Sequence, residues 1–428
     1  MSERTLTVGL LGCGTVGSGV VRLLREHAGE IAGRLGAGLV LGPVAVRDAA
    51  RARDLDIPRL TTDPGEVVND PDVDIVVEVM GGIEPARTLI TAALENGKSV
   101  VTANKELIST HGAELFALAR AKFVRLEFEA AVAGAIPIIK PMRESLAGDR
   151  VRKVLGIVNG TTNFILTRMA EDGMSFADAL AQAQRLGYAE ADPTADVDGY
   201  DAAAKAAILA SLAFDAPVVA SDVHREGITA VTAQDIAFAA RMGYVVKLLA
   251  IAESDGVTVG VRVHPALVPA THPLASVRDS FNAIFVEAEA AGDLMFYGRG
   301  AGSLPTASAV MGDIVTAARA LLAGERQEFG AQMAAKPLRP FAETVAQFYV
   351  LLDVADEAGV LATVAQAFGD HAVSIKSVWQ EGQAESAQLL LITHAAREGD
   401  MQATLDRLRE LPAVRAVASV MRVEGSEV

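Results

Sequence analysis

The stretch LTVGLLGCGTVGSGVVRLLREHAGEI, residues 6–31, decides the fold of the N-terminal third of the chain. It begins with an apolar run of strand length and continues, from Val16, with apolar residues at helical spacing. Between the two lies a G-x-G-x-x-G motif, made of Gly12, Gly14 and Gly17, with Thr15 and Val16 at the helix start. In this order of strand, tight turn and helix, the glycines let the backbone approach a pyrophosphate at the helix N-terminus. We therefore predict a dinucleotide site at residues 12–17; a turn that merely needs packing glycines is the open alternative.

The end of the second predicted strand, residues 39–48, bears on the choice of dinucleotide. An NAD site usually offers a carboxylate to the adenosine ribose here, whereas an arginine suits the 2′-phosphate of NADP. Arg47 stands at this point and Asp48 follows it. The sequence therefore favours NADP and leaves NAD open, with a solvated strand-end charge as the alternative for Arg47.

Two later apolar strands end in residues that suit the same crevice. Residues 72–82 end in a glycine pair that includes Gly82, and residues 99–102 end at Thr102, close to Lys105. Ligands of parallel sheets lie beyond the carboxyl ends of the strands, so these ends are expected to face residues 12–17. Residues 1–135 are thus predicted to be an α/β, doubly wound nucleotide domain of the Rossmann type.

The middle of the chain, residues 136–325, changes to long strands with hairpin connections. This pattern predicts an α+β domain whose sheet is rich in antiparallel pairs. We leave open whether the helix at about 304–322 packs back on the nucleotide domain. Asn159 to Asn163 brings amides and hydroxyls to a predicted helix start, where they either hold a small polar ligand or form an ordinary capping turn.

The loop EADPTADVDGYDAAAK, residues 190–205, concentrates acids beside one amine. Asp201 and Lys205 are four residues apart and share one helical face. In one interpretation they form a helix ion pair worth about 0.3–0.5 kcal/mol. In the other, Lys205 exchanges a proton inside a crevice while Asp201 and Glu190 bind the amine of a substrate.

The C-terminal residues 346–428 follow a proline-containing linker, residues 326–345, and show the order β-α-β-β-α-β. That order is typical of the ferredoxin-like fold. The segment has no visible acid–base constellation, so we expect it to serve regulation or assembly rather than chemistry.

Composition excludes several classes of protein. The formal net charge of −16 argues against nucleic acid or an anionic membrane as the main partner. The single cysteine, Cys13, rules out an intrachain disulfide and fits a reducing compartment. We read no signal peptide at the N-terminus and no apolar run near the ~18 residues of a membrane helix. A cytoplasmic enzyme or binding protein is expected.

Four blocks in order resemble the homoserine dehydrogenase family, in its three-domain form with a C-terminal ACT domain. The blocks are TANK (102–105), NGTTNFIL (159–166), AQAQRLGYAEADPTADVDGYDAAAK (181–205) and YGRGAGSLPTASAV (297–310). The third block is the most specific, because it contains, without a gap, the series of residues that is typical of this family. The series is Ala183, Gly187, Tyr188, Asp192, Pro193, Asp196, Gly199, Asp201 and Lys205.

The resemblance implies reversible reduction of L-aspartate 4-semialdehyde to L-homoserine by NAD(P)H, a step toward threonine, methionine and isoleucine. By this likeness Lys205 gives or takes the hydroxyl proton, and Lys105, at the junction of substrate and nicotinamide, shares that duty. The implied substrate-binding residues are Glu190, Asp201, Tyr188, Asp196 and Thr161. Three residues are implied on the cofactor side: Gly187, Glu190 and Gly302.

The resemblance also implies a bound sodium ion and an amino-acid effector. The sodium ligands are Glu129 and the main-chain oxygens of Val132, Gly134 and Ile136, which are hard ligands of the right type. The effector, with threonine as the first candidate, binds at contacts between ACT domains. Family members commonly have a proline before the glycine of the effector loop, where this chain has Ala358, so effector binding is less secure.

Two rival functions remain open at this stage. One is another NAD(P)-dependent dehydrogenase with an ACT tail, although the His–carboxylate pair of 2-hydroxy-acid enzymes has no clear place in the sequence. The other is an amino-acid and nucleotide sensor in which Lys205 is only structural. A homodimer is expected, and pairing of ACT domains would raise it to a homotetramer.

Overall fold

The computed structural model describes residues 4–50, 55–325, 336–383 and 386–425. The first part of the chain contains β1 (Thr5–Leu11), α1 (Thr15–Glu26), α2 (Ala28–Leu35), β2 (Gly38–Ala45), β3 (Arg59–Thr61), α3 (Gly65–Val68), β4 (Ile75–Glu78), α4 (Ala86–Glu95), β5 (Ser99–Thr102), α5 (Lys105–Lys122) and β6 (Leu126–Glu127). The middle part contains β7 (Val151–Ile157), α6 (Gly160–Asp172), α7 (Phe176–Arg185), α8 (Thr194–Val197), α9 (Tyr200–Phe214), β8 (His224–Arg225), α10 (Ala233–Arg241), β9 (Tyr244–Ser254), β10 (Val259–Pro269), β11 (Phe281–Ala288), β12 (Gly292–Arg299) and α11 (Ser303–Ala323). The last part contains β13 (Val345–Ala355), α12 (Val360–Asp370), β14 (Ile375–Gln383), β15 (Ser386–Thr393), β16 (Ala396–Arg397), α13 (Glu398–Arg409) and β17 (Val414–Val423).

The chain divides into two compact units, each built from three separate stretches. The first unit spans residues 1–154, 204–223 and 281–336. The second spans residues 155–203, 224–280 and 337–428. Residues 326–335 of the predicted linker lie outside the described residues.

The first unit is organised by a parallel sheet with the strand order β3-β2-β1-β4-β5-β6. The strand β1 is central: its Val8 pairs with Leu41 of β2 on one side and with Ile75 of β4 on the other. Strand order reverses at β1 and β4, which is where open α/β sheets place their ligands. The prediction of a doubly wound N-terminal domain is therefore confirmed.

The helix α11 closes one face of this sheet, although it lies far along the chain. Its apolar residues Ala307, Val310 and Ile314 belong to the same buried cluster as Val20 and Leu24 of α1. By length and composition α11 is also the one described helix that could cross a membrane, and half of its apolar window is buried inside the protein. Its packing on α1 explains its hydropathy as that of a core helix.

In the second unit β9 and β10 form a long antiparallel hairpin. Its pairing begins with Val259 opposite Ser254 and ends with Pro269 opposite Tyr244. The C-terminal domain follows with the strand order β17-β13-β15-β14. The helices α12 and α13 pack on one face of that sheet over a core that includes Phe348, Phe368 and Leu391. The β-α-β-β-α-β prediction for the C-terminal residues is confirmed. The sheet of the middle domain is mixed: the predicted antiparallel pairs are present, and β10 also pairs in parallel with β8 and β17.

Buried charges join this C-terminal domain to the β9–β10 hairpin. The Arg262 side chain on β10 donates a 2.7 Å hydrogen bond to Glu424, just after β17, and lies 3.0 Å from Glu253. The Arg422 guanidinium on β17 donates to Glu398 and, at 2.6 Å, to Glu226. These charges are buried as matched groups, which avoids the large cost of an isolated ion in the interior.

Candidate active site

The turn between β1 and α1 is held by two glycines. Gly12 has a φ of +97°, a conformation that a residue with a Cβ rarely adopts. A Cβ on Gly17 would collide with the carbonyl oxygen of Gly12 at a distance no side chain tolerates. The turn therefore requires glycine at both positions, and it brings the backbone of Gly14, the N-cap residue, to the start of α1.

A cavity of about 620 Å³ opens beside this turn. That volume suits a ligand larger than a single amino acid. Its lining brings together Gly12, Cys13, Gly14, Ala45, Val46, Arg47, Asp48, Thr62, Pro64, Val79, Met80, Gly81, Glu84 and Pro85. The residues fit a dinucleotide, because glycine backbone and a helix N-terminus accept a pyrophosphate and an arginine stands where the ribose would lie. Thr15 and Val16 begin α1 beside the cavity.

The start of α11 is fastened to the same turn. The Ser303 hydroxyl donates a 2.6 Å hydrogen bond to the carbonyl oxygen of Thr15. The residue before it, Gly302, is the N-cap of α11 and has a φ of +132°. The structure thus places the predicted cofactor residue Gly302 next to the G-x-G-x-x-G turn.

The loop after β4 is supported by a carboxylate that is not among the predicted site residues. Glu78 is fully buried, and its side chain accepts hydrogen bonds from the amides of Met80 (2.8 Å) and Gly81 (3.1 Å). The Thr102 hydroxyl donates to the same carboxylate at 2.6 Å. Thr102, predicted to bind cofactor, is therefore fully buried and used to hold the loop that lines the cavity.

Asn104 connects that loop to the helix that begins with Lys105. Its amide donates a 2.6 Å hydrogen bond to the carbonyl oxygen of Gly82, and its side-chain oxygen caps α5 by accepting from the amide of Leu107. Gly82 and Lys105, two predicted site residues, are thereby fixed by one side chain. Lys105 is half-buried at the first position of α5.

Lys205 lies in an apolar stretch of α9. Its neighbours from Asp201 to Ala210 are buried, whereas Lys205 itself is only partly buried. Asp201, one helical turn earlier, is 8% exposed. The helix therefore carries one amine and one carboxylate on a common face, with alanine around them.

The second unit gathers the acids of the 190–205 loop around Asn159. The Asn159 amide donates to the carboxylates of Asp196 (2.7 Å) and Asp201 (2.9 Å). Its side-chain oxygen accepts from the amide of Thr162 and so caps α6. Asn159 therefore caps the helix, as one of the two sequence alternatives expects, and it also bonds to two predicted substrate residues. The other alternative, a site for a small polar ligand, stays a prediction.

Thr161 and Tyr188 meet in the same unit, and the remaining predicted residues lie on the surface. The Thr161 hydroxyl donates a 2.6 Å hydrogen bond to the Tyr188 carbonyl oxygen. Gly187, Tyr188 and Glu190 are exposed, and Gly187 has a φ of +77°. The Asp192 carboxylate accepts hydrogen bonds from the Thr194 hydroxyl and amide, which lower the pKa of its carboxyl.

The loop predicted to hold sodium has its own network of hydrogen bonds. The Glu129 carboxylate accepts from the amides of Ile138 (2.6 Å), Ile139 (2.7 Å) and Lys140 (3.0 Å). Across the described residues no cluster of three His, Cys, Asp or Glu side chains could bind a metal. A sodium ion at residues 129–136 fits only a donor set made largely of main-chain oxygens, because Glu129 keeps one lone pair at most.

Asp313 of α11 completes this network and is absent from the predicted residues. Its carboxylate accepts from the amide of Glu129 at 2.8 Å and lies 3.0 Å from the Lys140 amine. Burial raises the pKa of Asp313 to about 7, although the Lys140 charge acts in the opposite direction.

A charged residue within an apolar element is a signal in the sequence that could have identified the buried polar residues absent from the predictions. Glu78, Asp313 and Lys247 are charged residues that stand among mainly apolar neighbours in a strand or helix. Burial lowers the pKa of Lys247 to about 8. Because an apolar element rarely buries a charge without a partner, such a residue indicates a polar network even when its partner is unknown.

The cavity beside the glycine turn is typical of an NAD(P)-dependent oxidoreductase, and the C-terminal domain has the ferredoxin-like order of strands and helices. Comparison with known proteins gives the family. The family model "Homoserine dehydrogenase" matches residues 137–315, "Homoserine dehydrogenase, NAD binding domain" matches residues 12–129, and "ACT domain" matches residues 348–413. The chain belongs to the homoserine dehydrogenase family.

The relatives cover the whole chain. It is 52% identical to homoserine dehydrogenase from Corynebacterium glutamicum, over 97% of this chain and 95% of that protein. It is 42% identical to that from Bacillus subtilis, over 99% of each. The crystal structure of a homoserine dehydrogenase from Thiobacillus denitrificans is similar with a TM-score of 0.94, 42% identity and 99% coverage of both chains. A hyperthermophilic archaeal homoserine dehydrogenase in complex with NADPH is similar over 73% of this chain and 97% of that one, at 29% identity and a TM-score of 0.62.

These matches confirm the predicted family, the three types of domain and the NAD(P)-dependent oxidoreductase class. The predicted roles of individual residues remain predictions.

Replacement of Gly17 by alanine is expected to weaken NADPH binding at least tenfold, because the new Cβ must push the Gly12 carbonyl out of the turn. Quenching of protein fluorescence by NADPH measures the dissociation constant. Gly33→Ala in α2 is the matched control, since no atom lies within 4 Å of a Cβ at that position. Equal NADPH affinity in both variants would contradict the assigned role of the turn.

Proposed function

We propose that this protein interconverts L-aspartate 4-semialdehyde and L-homoserine with NADP(H), in the cytoplasm. The observation that carries the proposal is a pair of carboxylates, Asp196 and Asp201, which both accept hydrogen bonds from the Asn159 amide. The segment that contains these two acids also contains Lys205. Two carboxylates suit the ammonium group of an amino-acid substrate. An amine one turn from Asp201 suits proton transfer to an alcohol oxygen.

The roles follow from the chemistry of each side chain. When bound, the nicotinamide supplies or accepts a hydride at its C4 atom. Lys205 donates the proton that the aldehyde oxygen needs as it becomes a hydroxyl, and it takes that proton back in the reverse direction. Lys105 shares this duty. The carboxylates of Asp196, Asp201 and Glu190 bind the substrate ammonium.

Further residues complete the proposed binding sites. Thr161 and Tyr188 contribute to the substrate side. The cofactor contacts are proposed for Gly12, Gly14, Thr15, Val16, Gly17, Arg47, Gly82, Thr102, Lys105, Gly187, Glu190 and Gly302. Thr102 would act through the buried Glu78 and the loop at residues 80–82, because its hydroxyl is already bonded there.

The variant Lys205→Ala is expected to lose at least ~10²-fold in semialdehyde reduction, since the transition state loses its proton donor. Steady-state rates of NADPH consumption measure the loss, and unchanged NADPH affinity shows that the fold is intact. Lys122→Ala, an exposed lysine at the end of α5, serves as the control. Full turnover of Lys205→Ala would exclude Lys205 as the main acid, and a larger loss in Lys105→Ala would transfer that role to Lys105.

A preference for NADP over NAD is proposed from Arg47. Its side chain lies at the end of β2, lines the cavity and is exposed, as a guanidinium that binds a 2′-phosphate must be. Asp48 follows it and would accept the ribose hydroxyl of NAD instead.

The variant Arg47→Ala is expected to lower kcat/KM with NADP at least tenfold, because a hydrogen bond to a charged group is worth about 1.5–3 kcal/mol. The same parameter with NAD should change little. Initial rates with each cofactor give the ratio, and Arg34→Ala in α2 controls for loss of a surface charge. An unchanged ratio would remove Arg47 from the cofactor site.

Sodium binding is proposed at the main-chain oxygens of Val132, Gly134 and Ile136, with Glu129 beside them. The carbonyl-rich loop supports it, since oxygen ligands suit a hard monovalent ion. Thermal unfolding in sodium and in a bulky organic cation at equal ionic strength would detect the ion, and equal Tm values would argue against it.

We also propose a homodimer or homotetramer. The strand β14 forms an edge of the ACT sheet, and Val378 and Trp379 on it are exposed. Edge strands with exposed apolar side chains tend to pair with another strand or chain. Sedimentation velocity measures the state, and a monomer at micromolar concentration would contradict it.

Feedback inhibition by threonine is the last part of the proposal. The helix α10 contacts the open face of the ACT sheet: Gln234 donates a 2.7 Å hydrogen bond to Gln388, and Arg241 forms an ion pair with Glu381. The same helix packs on α6, whose N-cap is Asn159. A ligand that alters the ACT sheet would therefore shift α10 and, through α6, the substrate carboxylates.

Millimolar threonine is accordingly expected to inhibit the wild type, and the double variant Gln234→Ala/Arg241→Ala to need at least tenfold more threonine for half inhibition. Uninhibited turnover should stay near the wild-type value. Rates and calorimetric binding are measured together, with Arg185→Ala at the exposed end of α7 as control. Absence of both inhibition and heat of binding in the wild type would end the proposal.

A further inference from the structure

Asn159 uses its whole side chain in hydrogen bonds. The two N–H groups reach Asp196 on α8 and Asp201 on α9, at 2.7 and 2.9 Å. The oxygen accepts from the amide and the hydroxyl of Thr162, at 2.8 and 3.0 Å. The residue is 5% exposed, so water does not substitute for these contacts.

Asparagine carries the groups that this set of bonds needs. Two N–H donors are needed for the two carboxylates, and an acceptor is needed for the helix N-terminus. Aspartate has the same shape but would place a third anion beside the two carboxylates. Serine would cap α6 but lacks the donors that reach the acids.

The position of Asn159 is itself fixed from one turn further along α6. Asn163 donates a 2.9 Å hydrogen bond to the carbonyl oxygen of Asp279, and its oxygen accepts from the amine of Lys247 at 3.0 Å. Lys247 is 2% exposed on β9. The helix start is therefore anchored to the β9 strand, and Asn159 has little freedom to follow the acids if they move.

The link between α8 and α9 has a glycine at the point where the chain turns. Gly199 has a φ of +81°, and a Cβ there would meet the Arg225 side chain at 3.3 Å. Asp196 and Asp201 thus lie on either side of a sharp turn, and the Asn159 amide bonds to both of them across it. These bonds act against the repulsion between the two like charges.

We infer that Asn159 is a positioning residue that gives this enzyme its selectivity for an alcohol bearing an amino group. Its amide holds Asp196 and Asp201 so that both carboxylates converge on one ammonium. The inference rests on the proposed function, because that function supplies the ammonium-bearing substrate. The side-chain bonds of Asn159 go to the two carboxylates and to Thr162, so its removal should act on substrate choice rather than on cofactor binding.

The test compares Asn159→Ser with Asn163→Ser, a matched change one turn along the same helix. Serine at position 159 preserves the helix cap while it removes both donors to the acids. Each variant is assayed with L-homoserine and with 4-hydroxybutyrate, the same alcohol without the amino group. The KM for NADP and the unfolding midpoint are measured in parallel.

For Asn159→Ser we expect the KM for homoserine to rise at least tenfold, while kcat changes less than threefold. We call kcat/KM for homoserine divided by kcat/KM for 4-hydroxybutyrate the selectivity ratio. This ratio should fall at least tenfold. For Asn163→Ser we expect lower stability with an unchanged ratio. Asn159→Asp should lose still more of the ratio, because it adds a repelling charge. An Asn159→Ser variant with the wild-type ratio, or equal losses in both serine variants, would overturn the inference. Failure of the wild type to oxidise homoserine would instead refute the proposed function.

Discussion

The absence of a side chain at Gly17 is the constraint on which the nucleotide half of the molecule depends. A Cβ there would collide with the Gly12 carbonyl, so only glycine lets α1 start this close to the end of β1. The close start in turn lets Ser303 reach the Thr15 carbonyl and brings α11 onto α1. The absence of one side chain therefore lets α1 and α11, which are distant in sequence, meet at the turn beside the cavity.

Asp196 and Asp201 in the second unit lie close together although their negative charges repel each other. Both residues accept a hydrogen bond from the neutral amide of Asn159. A neutral donor stabilises the two carboxylates without cancelling their charge.

The C-terminal domain is attached by buried charges as well as by apolar packing. Arg262 and Arg422 each meet acids from distant segments, among them Glu424 and Glu398. Burial and the two arginine charges lower the pKa of the neighbouring His264 to about 3, so it stays neutral near pH 7. Loss of one partner would leave a buried charge unpaired and lower the free energy of unfolding by about 3–5 kcal/mol. The stability of this junction is therefore sensitive to substitution of any of these charged residues.

Short-range patterns in the sequence by themselves determined the class of each domain. The strand–glycine–helix order at residues 6–26, the spacing of Asp201 and Lys205, and the β-α-β-β-α-β order of the last eighty residues are local properties of the chain, and each appears in the structure. The sequence also suggested that residues 159–163 matter, yet it could not choose between a cap and a ligand site. Tertiary structure decided that Asn159 caps α6 while it bonds to Asp201, that Glu78 supports the cavity loop, and that Asp313 reaches Glu129 across 184 positions. The physical reason is that periodicity and turn chemistry act between neighbours, whereas the partner of a buried polar group is chosen by whichever distant segment packing brings within about 3 Å.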